Sequence, residues 1–198
     1  RNNMAKTSFV FLAEGFEEVE ALTQVDLLRR AGIEVRTVSI TDTRKVVGAH
    51  GIAVEADLTF KQTDFGEADF LILPGGLPGS TNLAAFAPLN DLLRVHAMNH
   101  GNIAAICAAP AAVLSPLGLL RGRKATCYPG FDDVLIDGGA EYHTDRVVVD
   151  GNFITSNGPS SAFYFGLAII AHTAGKEKAE EVASGMLIFP GSMPYYLC

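Results

Sequence analysis

The segment Asn102-Ile103-Ala104-Ala105-Ile106-Cys107-Ala108-Ala109-Pro110 decides the fold. Residues 102–106 predict a short buried strand. Pro110 to Leu117 predicts a helix, because a proline in the first helical turn lacks only an N–H that would be unpaired there anyway. Cys107 therefore lies where a strand ends and a helix begins. Open α/β folds place their ligands and their chemistry at that junction.

Cys107 is the candidate nucleophile of this junction. Small residues flank it on both sides, as in a nucleophile elbow, where the turn is too crowded for larger side chains. Unpaired N–H groups at a helix N-terminus also favour a thiolate over a thiol. The competing interpretation is a buried core cysteine, which is the commoner fate of a cysteine in the cytosol.

Predicted strands alternate with predicted helices on both sides of this segment. Strands are predicted at residues 7–12, 34–40, 70–73, 102–106 and 124–127, helices at 17–31, 82–100, 110–117, 160–174 and 176–185, and hairpins at 46–54 and 147–155. This alternation is typical of parallel βαβ units with a sheet covered on both faces. We therefore expect one α/β domain over residues 4–198, a flavodoxin-like three-layer sandwich with a central, mostly parallel sheet. Its C-terminal tail is expected to be irregular, and residues 1–3 are interpreted as an expression remnant.

Composition and charge exclude several classes of partner. The 198 residues carry a net charge of −7, so a nucleic-acid partner is not expected, since phosphate repulsion would go unopposed. No apolar run approaches the roughly 20 residues of a membrane span. The three cysteines show neither a C-x-x-C pair nor a zinc spacing, so no metal site is expected. Sparse free thiols and a start without an apolar signal-peptide core favour a reducing compartment, the cytoplasm.

Acidic residues open the first predicted helix in the sequence Glu17-Glu18-Val19-Glu20. Carboxylates in a first turn complement the helix dipole, and this structural role is the favoured interpretation of Glu17 and Glu18. Glu20 shares a helix face with Phe16 and Gln24, so it is predicted to point inward. An inward carboxyl near a thiol forms a functional pair, because the two groups must divide protons between them.

Two turns could supply backbone N–H groups to an anion. Glycines in 74–79 (Pro-Gly-Gly-Leu-Pro-Gly) free the backbone to build an oxyanion hole, although a tight turn needing positive φ explains them equally well. The turn that contains Asn157 leads into a helix for which Ser160 is the expected N-cap. Phosphate binding at that helix start is the less favoured alternative, because no Walker or dinucleotide pattern accompanies it.

No histidine is adjacent to Cys107 in the sequence. His50 falls in the first hairpin loop and His143 in a polar loop, whereas His96, His100 and His172 fall on predicted helices, as surface or cap residues. A cysteine–histidine dyad therefore depends on the fold bringing a distant ring to the sulfur.

Four stretches together resemble the ThiJ/PfpI superfamily, in particular the branch of the parkinsonism-associated protein deglycase and its bacterial chaperone relatives. They are residues 12–20, 73–76, 104–110 and 155–159, in the family's order. The resemblance implies a class I glutamine amidotransferase-like sandwich and a homodimer. It implies that Cys107 is the nucleophile, that Glu20 touches its sulfur, and that backbone N–H groups of Gly75, Gly76 and Ala108 form the oxyanion site.

Three departures from the family pattern narrow the expected chemistry. The peptidase branch has a histidine directly after the cysteine, whereas this chain has Ala108. Glutamine amidotransferases carry a downstream His-x-Glu, for which His143-Thr144-Asp145 is the nearest match. Where human-type members place a pocket histidine before a proline, this chain has Tyr128. Glu20 is therefore the best candidate for general acid and base.

The resemblance implies a cysteine-dependent, cofactor-independent hydration or deglycation of small reactive carbonyls such as methylglyoxal. The substrate would be the free carbonyl or a glycated protein, and Glu17, His50, Tyr128 and Asn157 are the further pocket candidates. The alternative is a redox-responsive chaperone or oxidative-stress sensor acting through oxidation of Cys107. A structural protein with an unused elbow is a third interpretation. Peptidase and thiamine-pathway activities, which family labels suggest, rank below these.

Among the three cysteines, Cys107 is predicted to be the reactive thiol. Cys127 ends an apolar strand, where burial favours the neutral thiol, and Cys198 is terminal. An ionised Glu20 would oppose the thiolate, whereas a protonated Glu20 would donate a hydrogen bond to it. The two groups are therefore expected to titrate as a coupled pair.

Overall fold

A computed structural model describes residues 6–188 of the chain. The strands are β1 (Thr7–Leu12), β2 (Val35–Ser39), β3 (Lys45–Val47), β4 (Ala53–Glu55), β5 (Leu58–Thr59), β6 (Ala68–Leu73), β7 (Asn102–Ile106), β8 (Lys124–Ala125), β9 (Glu141–Tyr142), β10 (Val147–Asp150) and β11 (Phe153–Ser156). The α-helices are α1 (Glu18–Arg30), α2 (Gly79–Ala85), α3 (Ala87–Met98), α4 (Asp132–Asp137), α5 (Ala162–Ala174) and α6 (Lys176–Gly185). Short 3₁₀ turns cover Phe60–Gln62 and Pro159–Ser161, and a π-helical turn covers Pro110–Leu114.

The main sheet has the strand order β10-β11-β7-β6-β1-β2-β5. All of its neighbours pair in parallel except β10 and β11, which form an antiparallel hairpin at one edge. The chain reverses its winding direction between β1 and the β6–β7 half, and such switch points are where open α/β sheets form ligand crevices. The expected flavodoxin-like, mostly parallel sheet is confirmed.

Strand side chains alternate between two apolar layers, as the pleat of a strand requires. On β1, Phe9 and Phe11 belong to the layer covered by α2 and α3, whereas Val10 and Leu12 belong to the layer covered by α1 and α5. Helix α6 packs outside α5, around Leu167 and Ile170. The sheet is therefore covered on both faces, which confirms the three-layer arrangement.

Several predicted elements have different bounds in the structure. The helix predicted at 82–100 is two helices with extended backbone at Phe86, because Pro88 has no N–H to continue the first one. The helix predicted at 110–117 is only a π-helical turn that ends at Leu114. The strand predicted at 124–127 has two residues, and it pairs with β9 in a separate small sheet.

The helix start predicted at Ser160 is also wrong. A 3₁₀ turn occupies 159–161, and the N-cap of α5 is Ser161. Its hydroxyl donates to Asn157 Oδ1 at 2.6 Å instead of capping the helix. Helix α4 and strands β5 and β9 were not predicted at all. The predicted C-terminal tail, Cys198 and the expression remnant lie outside the described residues.

Candidate active site

Cys107 occupies a left-handed backbone conformation with φ of 66°. Few residues other than glycine adopt this region, and the surroundings hold it there through both neighbouring peptide groups. The N–H of Cys107 donates to the carbonyl of Ser156 at 2.9 Å, and its carbonyl accepts the N–H of Tyr128 at 2.8 Å. The turn between β7 and the π-helical segment is thus a strained elbow that presents one thiol.

The glycine turn after β6 meets this elbow at van der Waals contact. An ideal Cβ built on Gly75 would lie 2.5 Å from the Cβ of Cys107 and 2.6 Å from Glu20 Oε1. Gly76 follows with φ of 89°, and its N–H and that of Ala108 bond to the sulfur. These two donors favour negative charge on the sulfur.

The N–H of Gly75 does not form part of the predicted oxyanion site. It donates to Glu20 Oε1 at 3.0 Å and so holds the carboxyl instead of facing the sulfur. The three predicted oxyanion donors therefore divide into two that face Cys107, on Gly76 and Ala108, and one that positions Glu20.

Glu20 is completely buried, which confirms that it points inward. Its carboxyl contacts the Cys107 thiol, and Oε2 has no hydrogen-bond partner of good geometry among residues 6–188. A buried carboxyl oxygen without a partner is costly unless it carries a proton or acts in function. A proton on this carboxyl would reduce that cost.

Burial and proximity couple the protonation of Glu20 to that of Cys107. Burial, with a smaller contribution from the charge of Glu17, raises the pKa of Glu20 to about 7, although hydrogen bonds with Cys107 and Gly75 oppose the shift. Burial, followed by the charge of Glu20, raises the pKa of Cys107 to about 12. The pair thus holds two protons below about pH 7 and one above it. In the singly protonated state, a proton on Glu20 leaves the charge on sulfur.

The β3–β4 hairpin closes one side of this crevice. Ala49 N–H donates to the Phe16 carbonyl at 2.8 Å, which ties the hairpin loop to the segment ahead of α1. Glu18 is buried and accepts the backbone N–H groups of His50 and Ile52 at 2.9 and 3.3 Å. Burial opposes its ionisation, but these hydrogen bonds prevail and lower the pKa of Glu18 below its usual value.

His50 bonds to this acidic pair and not to the sulfur. Its Nδ1 lies 3.0 Å from Glu18 Oε1 and 3.5 Å from Glu17 Oε2, and the Glu18 bond is the main reason that the pKa of His50 is raised. Ligand atoms of the three residues lie within 4.8 Å of one another, which is close enough for a metal ion. The same carboxylate of Glu18 also accepts backbone N–H groups of the hairpin, so the three residues link the hairpin to the start of α1.

The two other pocket candidates lie on the opposite side of Cys107. Tyr128 is held by its backbone bond to Cys107, and its half-exposed ring lies against Gly158. The Asn157 side chain faces Ser161. Within residues 6–188, no histidine is hydrogen-bonded to the sulfur. His143, the nearest match to an amidotransferase histidine, bonds to Glu141 at 3.0 Å.

The contact between Cys107 and Glu20 agrees with the sequence prediction, but two supporting groups were not predicted. Glu18 accepts a backbone N–H of the β3–β4 hairpin loop, whereas the sequence predicts only an interaction with the helix dipole. The carbonyl of Ser156 fixes the elbow from the neighbouring strand. A backbone acceptor leaves no signal in a sequence, but the pairing of β7 with β11 could have suggested it.

Comparisons with known proteins match this chain over most of its length. The model of the DJ-1/PfpI family matches residues 6–172. Protein dj-1beta of Drosophila melanogaster is 40% identical over 185 residues, covering 93% of this chain and 98% of the fly protein. A Caenorhabditis elegans protein named glutathione-independent glyoxalase DJR-1.2 is 34% identical, covering 89% of this chain and 94% of its own length.

A solved structure shows the same architecture. The structure titled Toxoplasma gondii DJ-1, oxidized, superposes with a TM-score of 0.88 at 39% identity, over 92% of this chain and 98% of the other.

Between residues 6 and 188, no helix is long and apolar enough to cross a membrane.

Proposed function

Because this chain belongs to the DJ-1/PfpI family, we propose that it converts small reactive dicarbonyls such as methylglyoxal into hydroxy acids, with Cys107 as nucleophile. The observation that carries the proposal is the contact between Cys107 and a buried Glu20 whose Oε2 has no other partner. The name of the nematode relative, a glutathione-independent glyoxalase, supports the same reaction class.

The first step forms a carbon–sulfur bond. The Cys107 thiolate attacks the aldehyde carbon, and the carbonyl electrons move onto oxygen to give an alkoxide. The N–H groups of Gly76 and Ala108, which already bond to the sulfur, lie where they can donate to this oxygen. Protonation of the alkoxide by Glu20 gives a hemithioacetal.

The second stage moves a proton between the two carbons of the adduct. Ionised Glu20 removes the hydrogen on the sulfur-bearing carbon, and the electron pair shifts onto the ketone oxygen to give an enediolate. The remaining hydroxyl proton then moves to that oxygen and leaves the negative charge on the oxygen of the sulfur-bearing carbon. Return of the proton to the neighbouring carbon gives the thioester of a hydroxy acid. Water then cleaves the thioester and releases the acid and the thiol, so the net change is addition of one water. A pKa near 7 suits Glu20 to both proton donation and removal.

The same attack accounts for deglycation. A hemiaminal formed between methylglyoxal and a protein amine retains an electrophilic carbon in equilibrium with its carbonyl. Capture of that carbon by Cys107 releases the amine unchanged. The half-exposed ring of Tyr128 and the exposed ring of His50 then form the rim that a protein-bound adduct would meet.

The decisive experiment is lactate production from methylglyoxal by purified protein and four variants. We expect Cys107→Ser to abolish turnover and Cys127→Ser, at the buried second thiol, to retain it. We expect Glu20→Gln to keep thiol reactivity but lose most turnover, and Glu20→Leu to weaken both. Turnover that survives Cys107→Ser overturns the proposal.

A second candidate function is redox sensing by the same thiol, with an altered chaperone activity after oxidation. The related Toxoplasma structure is titled as an oxidized form. The N–H groups of Gly76 and Ala108 and a protonated Glu20 are also donors suited to the oxygens of a sulfinate. Mass spectrometry after graded peroxide should find two added oxygens on Cys107. Oxidation that leaves suppression of insulin-chain aggregation unchanged would contradict the sensor function.

We also propose that the protein works as a homodimer. Val19 and Leu22 on α1 and Ile52 on the hairpin are 50%, 39% and 53% exposed. The Ile52 N–H bonds to Glu18, so the hairpin and α1 form one continuous surface next to the candidate active site. An apolar surface of this kind is suited to an isologous contact.

A further inference from the structure

Arginines concentrate in a cleft at the opposite end of β11 from Cys107. The cleft, of about 370 Å³, lies between the C-terminal part of α3 and the turn ahead of β8, and Arg94, Arg121 and Arg123 line it. Phe153 at the start of β11 lies at its base, whereas Ser156 at the end of β11 supports Cys107. The two sites therefore occupy opposite ends of one strand.

The charge of this cleft contrasts with that of the whole chain. The protein has 22 acidic and 15 basic residues, yet none of the residues lining the cleft is acidic. Three guanidinium groups around one cleft repel each other, and an anionic partner removes that cost. Guanidinium groups are also the side chains best shaped to bind carboxylates, through paired N–H donors.

Two of the arginines are held in place without a carboxylate. The Arg123 guanidinium carbon lies 4.0 Å from the centre of the Phe153 ring, and its Nη1 lies 3.5 Å from Asn152 Oδ1. Arg121 packs so closely on Gly139 that a Cβ there would lie 3.0 Å from Nη1. Arg121 has no ion pair within the described part of the chain. Both groups are therefore ordered by packing, which lowers the entropy lost when they bind a ligand.

The third arginine has only a weak partner. Arg94 Nη1 lies 3.4 Å from Asp91 Oδ1, and both side chains are more than half exposed. Exposed pairs of this kind contribute little, so Arg94 can exchange Asp91 for an external carboxylate.

Apolar side chains complete the surface. Met98 is 78% exposed, and Leu119 lines the cleft beside it. Methionine adapts its shape to different apolar groups, and methionine and arginine are both enriched in protein interfaces. The cleft is shallow and open, so it suits an extended segment better than an enclosed small molecule.

We propose that this cleft, lined by Arg94, Arg121, Arg123, Met98 and Leu119, binds an acidic peptide segment that carries an apolar side chain. Its carboxylates bind the guanidinium groups, and its apolar side chain packs on Met98 and Leu119. The site is independent of the Cys107 chemistry. A partner docked here would leave the carbonyl pocket at the other end of β11 open.

Fluorescence anisotropy with a labelled peptide of alternating glutamate and leucine tests the proposal. We expect saturable binding that weakens as salt rises, and a loss of about tenfold or more in the variant Arg121→Gln/Arg123→Gln. The matched control is Lys176→Gln/Lys178→Gln on α6, which removes the same net charge from two exposed ion pairs. It should bind the peptide as the unmodified protein does.

Four results overturn the proposal. They are no saturable binding, equal weakening in both double variants, equal binding of a single-stranded oligonucleotide, and equal binding of a peptide with serine in place of leucine. Absence of saturable binding would mean that the cleft is not a binding site. Equal weakening in both double variants would mean that binding depends only on the net charge of the protein. Equal binding of the oligonucleotide or of the serine peptide would mean that the cleft binds anions without using its apolar residues. Thermal unfolding of both double variants checks that each is folded. Unaltered binding by Cys107→Ser separates this site from the proposed catalysis.

Discussion

Gly75 lies so close to Cys107 that an added methyl carbon would stand 2.5 Å from the cysteine Cβ. The same carbon would stand 2.6 Å from Glu20 Oε1, so nucleophile and carboxyl meet across a space that only hydrogen atoms can occupy. Contact between the thiol and the carboxyl depends on the absence of a side chain at this position.

Gly75→Ala should therefore damage both the pair and the fold. We expect at least a tenfold loss of carbonyl turnover, because the elbow and the carboxyl must separate, and a loss of about 1–3 kcal/mol in the free energy of unfolding from overpacking. Urea unfolding and a lactate assay measure the two effects. The control is Gly185→Ala, where an added Cβ meets nothing within 4 Å. Full turnover by Gly75→Ala would show that the close approach is unimportant.

Alkylation should distinguish the two buried thiols. Burial raises the pKa of both Cys107 and Cys127 to about 12, but only Cys107 has N–H donors at sulfur and an adjacent carboxyl that can keep the proton. Cys107 is also 9% exposed, whereas Cys127 is fully buried. A limiting dose of iodoacetamide should label Cys107 well before Cys127, as peptide mass spectrometry would show. Labelling of Cys127 first would mean that the reactive thiol is misassigned.

Stability should depend on pH through Glu20. Its pKa is raised in the folded protein from an ordinary 4.5 to about 7, so folding favours the protonated form. The stability contributed by this form is complete below about pH 4.5 and is lost as the pH rises through 7. Relative to Glu20→Gln, which cannot ionise, the unmodified protein should lose roughly 3 kcal/mol across that window.

Urea unfolding of both proteins at pH 4.5, 6 and 8 measures this difference, since other titrating groups cancel in the comparison. If the free energies of unfolding of the two proteins change equally with pH over the whole range, Glu20 ionises as freely in the folded protein as in the unfolded one.

Much of this arrangement was predictable because local sequence determines it. Strand β1 and helix α6 have the predicted bounds, since apolar alternation and glycine boundaries define them. The break in the helix predicted at 82–100 was missed although Pro88 signals it in the sequence, because the apolar periodicity on both sides favours one continuous helix. Glu20 was predictable from helical spacing. The different roles of the Gly75 and Gly76 N–H groups were not predictable, because they depend on the direction in which each N–H points in the folded protein.

The buried charge of Glu18 should hold the hairpin in place. It accepts the N–H groups of His50 and Ile52, so Glu18→Ala would remove the acceptor of both donors and release the loop from α1. We expect amide hydrogen exchange at these two residues to accelerate by about tenfold or more. Glu55→Ala, which removes a mostly exposed partner of Arg44, should leave their exchange unchanged. Equal exchange in all three proteins would show that other contacts hold the hairpin.

Assembly should depend on the apolar surface formed by Val19, Leu22 and Ile52. Because α1 and the hairpin are joined by Glu18, a charge placed at Val19 or Ile52 disturbs the centre of this surface without entering the core. Sedimentation velocity at micromolar concentration should show a dimer for the unmodified protein and a monomer for Val19→Glu/Ile52→Glu. Val134→Glu/Ile136→Glu places two charges on another exposed apolar pair, on α4, and should remain dimeric. A monomeric unmodified protein would contradict the homodimer, whereas a dimer that survives charges at Val19 and Ile52 but not those on α4 would place the interface elsewhere.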